Sequence, residues 1–302
     1  MKELTIVTEF FDIGREDYRD THSRTNKEYL EYFKFWARMK NKLIVYTYKE
    51  MADEIKKIRD EFGLLDRTII IEIEDETKIE TDLFNRMKSI ENQEYLNNYR
   101  YHKDVIENYA KYDYVMLLKY WCLMDAVKNG YAQGMVAWLD FGFNHGDDCY
   151  INSEDFNFNW ETNLSENKIH LFTIKELSNE PVFELIRNME VDIMGAPIIL
   201  PDRLCIVLWE LLKKAMNSLI DIGFIDDDQI ILLMAYREQK EIFELHKSYW
   251  FLPLKENGAE HLTVKENYYP NNKDNKKENF NSKQLKLRRY LGYLRHQHKY
   301  FK

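Results

Sequence analysis

Proline and glycine are scarce in this chain, 5 and 10 residues in 302, which excludes collagen-like and low-complexity sequence. Cysteine is scarcer still, with Cys122, Cys149 and Cys205 far apart and odd in number. They allow neither a disulfide framework nor a zinc spacing, so a reducing cytoplasm is the expected compartment. No apolar run approaches a membrane span, since the best candidate, IVLWELLKKAM, is broken by Glu210, Lys213 and Lys214. The N-terminal MKELTIVTEFFDIG has no apolar signal-peptide core, and a soluble protein is expected. Missing too are a GxGxxG fingerprint, a Walker sequence, HExxH and a serine nucleophile elbow.

What is present starts with a globular composition: 45% hydrophobic residues and 15% aromatics, 21 of them Tyr. Tyrosine packs its ring and keeps a hydrogen-bonding end, so it suits polar pockets as well as cores. The net charge of −9 is unevenly spread. From Lys283 to Lys302 there are seven Lys/Arg and no acid, which leaves the rest near −16. Such an acidic body is not expected to bind nucleic acid unaided. The tail interleaves Leu285, Leu287, Leu291 and Leu294 with its basic residues. It reads as a moderately amphipathic helix suited to an anionic partner, such as the inner face of the cell membrane.

Along the chain, LTIVTEFF (4–11), KLIVYTY (42–48) and RTIIIEIE (67–74) read as strands. Between them, 25–41 and 52–63 carry helical spacing, the second closed by Gly63. Strand and helix alternating through 75 residues predict an α/β sandwich with a parallel sheet. The stretch 114–130 is apolar nearly all round and reads as a buried helix. MVAWLDFG (135–142) follows as an apolar strand. Then come a strand at 168–174, a short helix near 180–189, a glycine-containing turn at 192–201 and helices at 202–221 and 226–238. Residues 1–255 read as the main domain, 256–282 as a polar linker and 283–302 as the tail.

In WLDFGFNHGDD (138–148) the apolar strand leads straight into Asp140. Its DFG is not a kinase motif, because no glycine-rich phosphate loop or HRD segment accompanies it. Ligands in open α/β sheets bind beyond the carboxyl ends of strands, which is where Asp140 falls. Mg²⁺ and Mn²⁺ favour carboxylate oxygens and keep positions open for phosphates. Asp140 is therefore a candidate ligand, with His145, Asp147 or Asp148 close in sequence and His246 from a distant segment. Lys119 interrupts VMLLKYWCLM; it either snorkels to the surface or reaches a ligand phosphate, since an unpaired buried ammonium is costly.

The unit LLKYWCLMDAVKNGYAQGMVAWLDFG resembles the helix-then-strand element of GT-A glycosyltransferases, with Gly142 in the third position of their DxD. More closely, IVTEFFDIGR, SRTNKEYLEYFKFWARMKNKLIVYT and WLDFGFNHG together resemble the HtrL/YibB/WlaTC family of bacterial glycosyltransferase-like proteins. The resemblance implies a GT-A-like (Rossmann-like) mixed, mainly parallel sheet flanked by helices, with a helical C-terminal extension. It implies that Thr8, Phe10 and Arg15 cradle the nucleotide, that Arg24, Lys119, Asp140 and Gln229 join the nucleotide-sugar contacts, and that Gly195 of MGAP lies beside the sugars. It places Asp227 or Asp228 as the carboxylate that deprotonates an acceptor hydroxyl. A divalent cation, Mn²⁺ or Mg²⁺, would be held by Asp140 with His145 or His246.

The implied activity is transfer of a sugar from a nucleotide-sugar donor, UDP-linked, to a cell-surface glycan such as lipopolysaccharide, lipooligosaccharide or capsule. Two other classes stay open: another sugar-nucleotide or phosphate-handling enzyme, and a catalytically silent binding protein of polysaccharide assembly.

Overall fold

The computed structural model describes residues 1–17, 23–91, 93–101, 106–145, 149–266, 268 and 287. The chain divides into a unit from Met1 to Thr263 and a second from Val264 to Lys302. Asp147, Asp148 and, apart from Leu287, the basic tail at 283–302 lie outside the described residues.

After the short β1 (Lys2–Glu3), β2 (Thr5–Phe10) enters the sheet. The helix α1 (Asn26–Trp36) starts at a capping box: Thr25 accepts from the Glu28 amide while Glu28 accepts from the Thr25 amide, so two orphan donors are satisfied together. Its Phe33 and Trp36 are buried. Next, β3 (Leu43–Thr47) is buried along its whole length, and α2 (Lys49–Glu61) leads to β4 (Thr68–Glu72). The α2 residue Arg59 is buried and donates to the carbonyls of Ala37 (2.6 Å), Met39 (2.7 Å) and Asn41 (3.2 Å), pinning the turn between α1 and β3.

Two outer helices, α3 (Thr81–Ile90) and α4 (Glu94–Tyr99), precede the long α5 (Ala110–Lys128). The latter is buried on nearly every side. Its Leu117, Leu118 and Leu123 share one core with Leu208 and Leu212, each contributing about 2 kcal/mol by leaving water. Then follow β5 (Met135–Trp138), β6 (Glu161–Thr162), β7 (Ile169–Thr173), α6 (Val182–Asn188), β8 (Ile198–Pro201), α7 (Cys205–Asp221), α8 (Asp228–Glu238), β9 (Phe243–Lys247) and α9 (Leu252–Glu256).

The main sheet has seven strands in the order β4-β3-β2-β5-β8-β7-β9. Strands β2, β3, β4 and β5 run parallel, with Val7 opposite both Ile44 and Trp138. Strand β8 runs antiparallel between β5 and β7, and β9 pairs parallel with β7. The expected α/β class, a mixed and mainly parallel sheet flanked by helices, is what forms.

Two segments differ from the sequence reading. The segment 192–201 is a turn only as far as Pro197, because Ile198–Pro201 forms β8; four residues bounded by prolines show no strand period. The strand through Asp140 ends at Trp138, so Asp140 stands in the following turn and accepts from the Phe143 amide through its carbonyl (2.9 Å). Among the described residues, no helix is long and apolar enough to cross a membrane.

Candidate active site

A cavity of about 300 Å³ opens beyond the carboxyl ends of β2 and β5, a size that suits a small-molecule ligand. β2 contributes Glu9 and Phe10, and the loop after it Asp12 and Arg15. Asp12 ties that loop to α1, accepting from Gly14 N (2.8 Å) and from Asn26 Nδ2 (2.7 Å). The guanidinium of Arg15 lies over the Tyr112 ring at 5.5 Å. Tyr112, Met116 and Lys119 face the cavity from successive turns of α5. Because β8 runs backwards, its approach segment, Gly195–Ala196, reaches the same edge, and α8 brings Asp228 and Gln229.

One wall is aromatic. Phe141 stacks between Phe33 (4.5 Å) and Phe10 (4.8 Å), and Trp36 Nε1 donates to the Phe141 carbonyl at 3.2 Å. Across the turn, the His145 ring meets Phe251 edge-on at 5.1 Å. Asn144 and Phe251 both hold positive φ, 58° and 64°, a region that non-glycine residues occupy at some cost. Asn144 is held there because its amide donates to Tyr150 O (2.9 Å) and accepts from Tyr150 N (2.8 Å). The Phe251 carbonyl accepts from the Tyr150 hydroxyl at 2.8 Å. Strain over-determined in this way is found at binding sites.

The polar floor centres on Lys119. Its ammonium lies 2.8 Å from Asp228 Oδ2 and 3.1 Å from Asp140 Oδ1. Lys119 and Asp228 are 5% and 4% exposed, Asp140 42%, so both carboxylates line the cavity but Asp140 is the more open of the two. Burial opposes the charge on Lys119, yet Asp140 and Asp228 outweigh it and hold the ammonium above its ordinary range. Burial pushes Asp228 upward against the pull of Lys119, and Asp140 adds to the rise. Tyr120 also donates to Asp228 Oδ2, at 3.3 Å, while Trp138 Nε1 donates to Asp140 Oδ1 at 2.8 Å and fixes its direction. Glu9 completes the floor: burial lifts its carboxyl well above the usual range, partly countered by Lys119, and the Cys122 thiol lies 3.6 Å away.

Backbone approaches set the floor's shape. A Cβ on Gly195 would fall 2.7 Å from Asp228 Oδ1, so no other residue brings the chain this close to that carboxyl. A Cβ on Gly142 would stand 3.0 Å from the Tyr29 ring.

Phe10, Arg15, Arg24, Lys119, Asp140, His145, Gly195, Asp228 and Gln229, candidates from six separate segments, line this one cavity. Three others fall outside its lining. Thr8 is buried within β2, its Oγ1 without a hydrogen-bond partner among the described residues. Asp227 caps α8, accepting from Gln229 N at 3.0 Å. His246 sits on β9 with its Nε2 2.9 Å from His170 Nδ1. Glu9, Tyr112, Trp250 and Phe251 line the cavity without having been read from the sequence. For Glu9 the signal was a single charge inside an otherwise uncharged strand.

A family model described as a bacterial protein of unknown function (HtrL_YibB) matches residues 2–255. Protein HtrL of Escherichia coli (strain K12) is 27% identical over 265 residues, covering 82% of this chain and 90% of that protein. Among solved structures, mouse xyloside xylosyltransferase 1 in its apo form gives a TM-score of 0.44 at 13% identity, covering 82% of this chain and 85% of that one. The family match runs from β1 into α9 and takes in every cavity-lining residue, and the chain belongs to the HtrL_YibB family of bacterial proteins.

Proposed function

We propose that this protein is a glycosyltransferase that takes a sugar from a nucleotide-sugar donor, a UDP-sugar, and adds it to a cell-surface glycan or glycolipid. The observation that carries the proposal is the half-open Asp140 beside the buried Lys119–Asp228 pair, at the ligand edge of the sheet, under an aromatic wall with Arg15 and Arg24 in the lining. Stacking rings and guanidinium groups suit a base and a diphosphate. Asp140 and His145, both in the cavity lining, would hold a divalent cation, because Mn²⁺ and Mg²⁺ accept one or two protein ligands and fill the rest with water and phosphate oxygens. Such an ion would stabilise charge on the departing diphosphate.

In the transfer, the bond between the anomeric carbon and the phosphate oxygen breaks, and its electron pair leaves with the nucleoside diphosphate. The acceptor oxygen bonds to that carbon and its proton passes to a carboxylate. Asp228 is the DDDQ carboxylate in the cavity lining, and Lys119 balances its charge. Glu9, which lines the cavity and whose carboxyl burial holds above its usual range, would hydrogen-bond a sugar hydroxyl or phosphate oxygen when it carries its proton.

A donor-binding protein without turnover is the second reading, favoured by the engagement of Asp140 Oδ1 by both Trp138 and Lys119. Thermal shift with a panel of nucleotide sugars, with and without Mn²⁺, tests both, since a ligand of the folded state raises its stability. Stabilisation with release of nucleoside diphosphate in the presence of acceptor supports transfer. Stabilisation without release supports the second reading, and no shift with any donor removes both.

A further inference from the structure

Away from the cavity, at the edge of the sheet, His170 of β7 stands in register with Glu244 of β9, and His246 follows Glu244 by two residues. The two-residue period of a strand puts all three on one face. It is the face opposite Ile169, Leu171 and Phe243, which belong to the main core. One donor atom from each of the three lies within 4.8 Å of the others. His170 Nδ1 is 2.9 Å from His246 Nε2 and 3.6 Å from Glu244 Oε2.

The donor chemistry is oriented as well as close. His170 Nε2 lies 2.8 Å from the Ser165 carbonyl, which can only accept, so that nitrogen carries the proton and Nδ1 accepts from His246 Nε2 at 2.9 Å; a metal would take the place of that shared proton, with His246 carrying its N–H on Nδ1 instead. A backbone carbonyl holding the far nitrogen of an imidazole is the usual support of a metal-binding histidine. Glu244 is 47% exposed, so an ion has a way in from solvent and water can complete its shell. Around a tetrahedral zinc with ligands near 2.0–2.1 Å, neighbouring ligand atoms stand about 3.3 Å apart; the two edges at His170 are 2.9 and 3.6 Å, and the third, from His246 to Glu244, is within 4.8 Å, so the exposed Glu244 side chain closes the site by a small rotation.

We propose that His170, Glu244 and His246 form a binding site for a zinc-like divalent transition ion, separate from the candidate active site and independent of the proposed transfer. Two imidazoles and a carboxylate favour Zn²⁺ over Mg²⁺ or Mn²⁺, which prefer oxygen. The ion clamps the edge strand β9 to β7 just before the chain turns toward Trp250 and Phe251 in the cavity wall.

The test uses the untagged full chain stripped with chelator and titrated with Zn²⁺ by calorimetry, and with Co²⁺ as a visible-absorption probe. One Zn²⁺ equivalent and Co²⁺ bands of low coordination number are expected. Glu244→Gln, at a solvent-facing position, and His246→Asn should each weaken Zn²⁺ binding by about 100-fold, at or beyond the upper end of what loss of a supporting group costs. Asp140→Asn should leave Zn²⁺ binding unchanged. Absence of Zn²⁺ binding by the folded wild-type chain overturns the site, as does wild-type affinity in Glu244→Gln. If His246→Asn fails to fold by circular dichroism, Glu244→Gln alone decides. Loss of Zn²⁺ in Asp140→Asn with retention in Glu244→Gln would put the ion in the cavity and also overturn the proposal.

Discussion

Replacing Lys119 with methionine keeps the aliphatic stem and removes the ammonium from between Asp228 and Asp140. Asp140 is half exposed and retains the Trp138 N–H, so water compensates it. Asp228 is 4% exposed and retains only the Tyr120 hydroxyl at 3.3 Å among its described donors. Breaking one side of a buried pair costs about 3–5 kcal/mol. Protonation of Asp228 caps that cost, and about 3 kcal/mol at neutral pH is expected. At about 2–4 °C per kcal/mol this is a fall of roughly 6–12 °C in melting temperature. The pH dependence has a definite sign. Asp228 already has a folded pKa above its unfolded one, so its contribution is fully present below the unfolded value and is lost as pH rises through the folded value. Removing Lys119 raises the folded value further, so the deficit against wild type should widen toward neutral pH and shrink toward acid. Urea unfolding across a pH series measures this, and Lys119→Met/Asp228→Asn should regain most of the loss. Wild-type stability in Lys119→Met, or a double variant no better than the single, would refute the buried-pair reasoning.

Asp140→Asn should keep the Trp138 hydrogen bond and the fold while lowering transfer by about 10²-fold or more; near-normal turnover in a coupled nucleoside-diphosphate assay would remove Asp140 from the mechanism. Glu9→Gln tests the neutral carboxyl. Because burial raises the Glu9 pKa, its contribution to stability fades as pH rises through that value, so the amide should match wild type in acid and exceed it in alkali; a loss of stability at every pH would show that Glu9 folds as a carboxylate. For the tail, liposome sedimentation compares the full chain with one ending at residue 282. Each basic residue near an anionic surface contributes roughly 1 kcal/mol; the full chain should sediment with anionic vesicles at low salt and release as salt rises, and equal sedimentation of both would sink the membrane reading.

The parallel half of the sheet was legible because its strands are continuous apolar runs: β3 is Leu43–Thr47 without a polar break until its last residue. The strands β8 and β9 were not. β8 has only four residues. β9 does alternate, Phe243 and Leu245 against Glu244 and His246, but over only five residues, too short a run to stand out from its surroundings. Asp140 was legible as an acid at a strand's end, and Lys119 as an anomaly in an apolar helix. The partner that explains Lys119 is 109 residues away, and no local pattern announces a pairing made by packing. Tyr112 and Met116 share the Lys119 face, but a helix buried on nearly every side has no stripe to single them out. Trp250 and Phe251 reach the cavity through the turn after an edge strand, a tertiary fact with no period of its own.

The reversed direction of β8 also shapes how the gene can vary. Strands β2 and β5 deliver cavity residues at and after their last residues, whereas β8 delivers Gly195 and Ala196 before it begins. Length changes in the β8 approach would therefore slide the backbone at Gly195 that abuts Asp228, while changes after Pro201 fall at the opposite end of the sheet, where Gly134 N donates to Asp202 Oδ2 at 2.7 Å. In a deep insertion and deletion scan, tolerance around this strand should be reversed relative to its neighbours: intolerant upstream and permissive downstream.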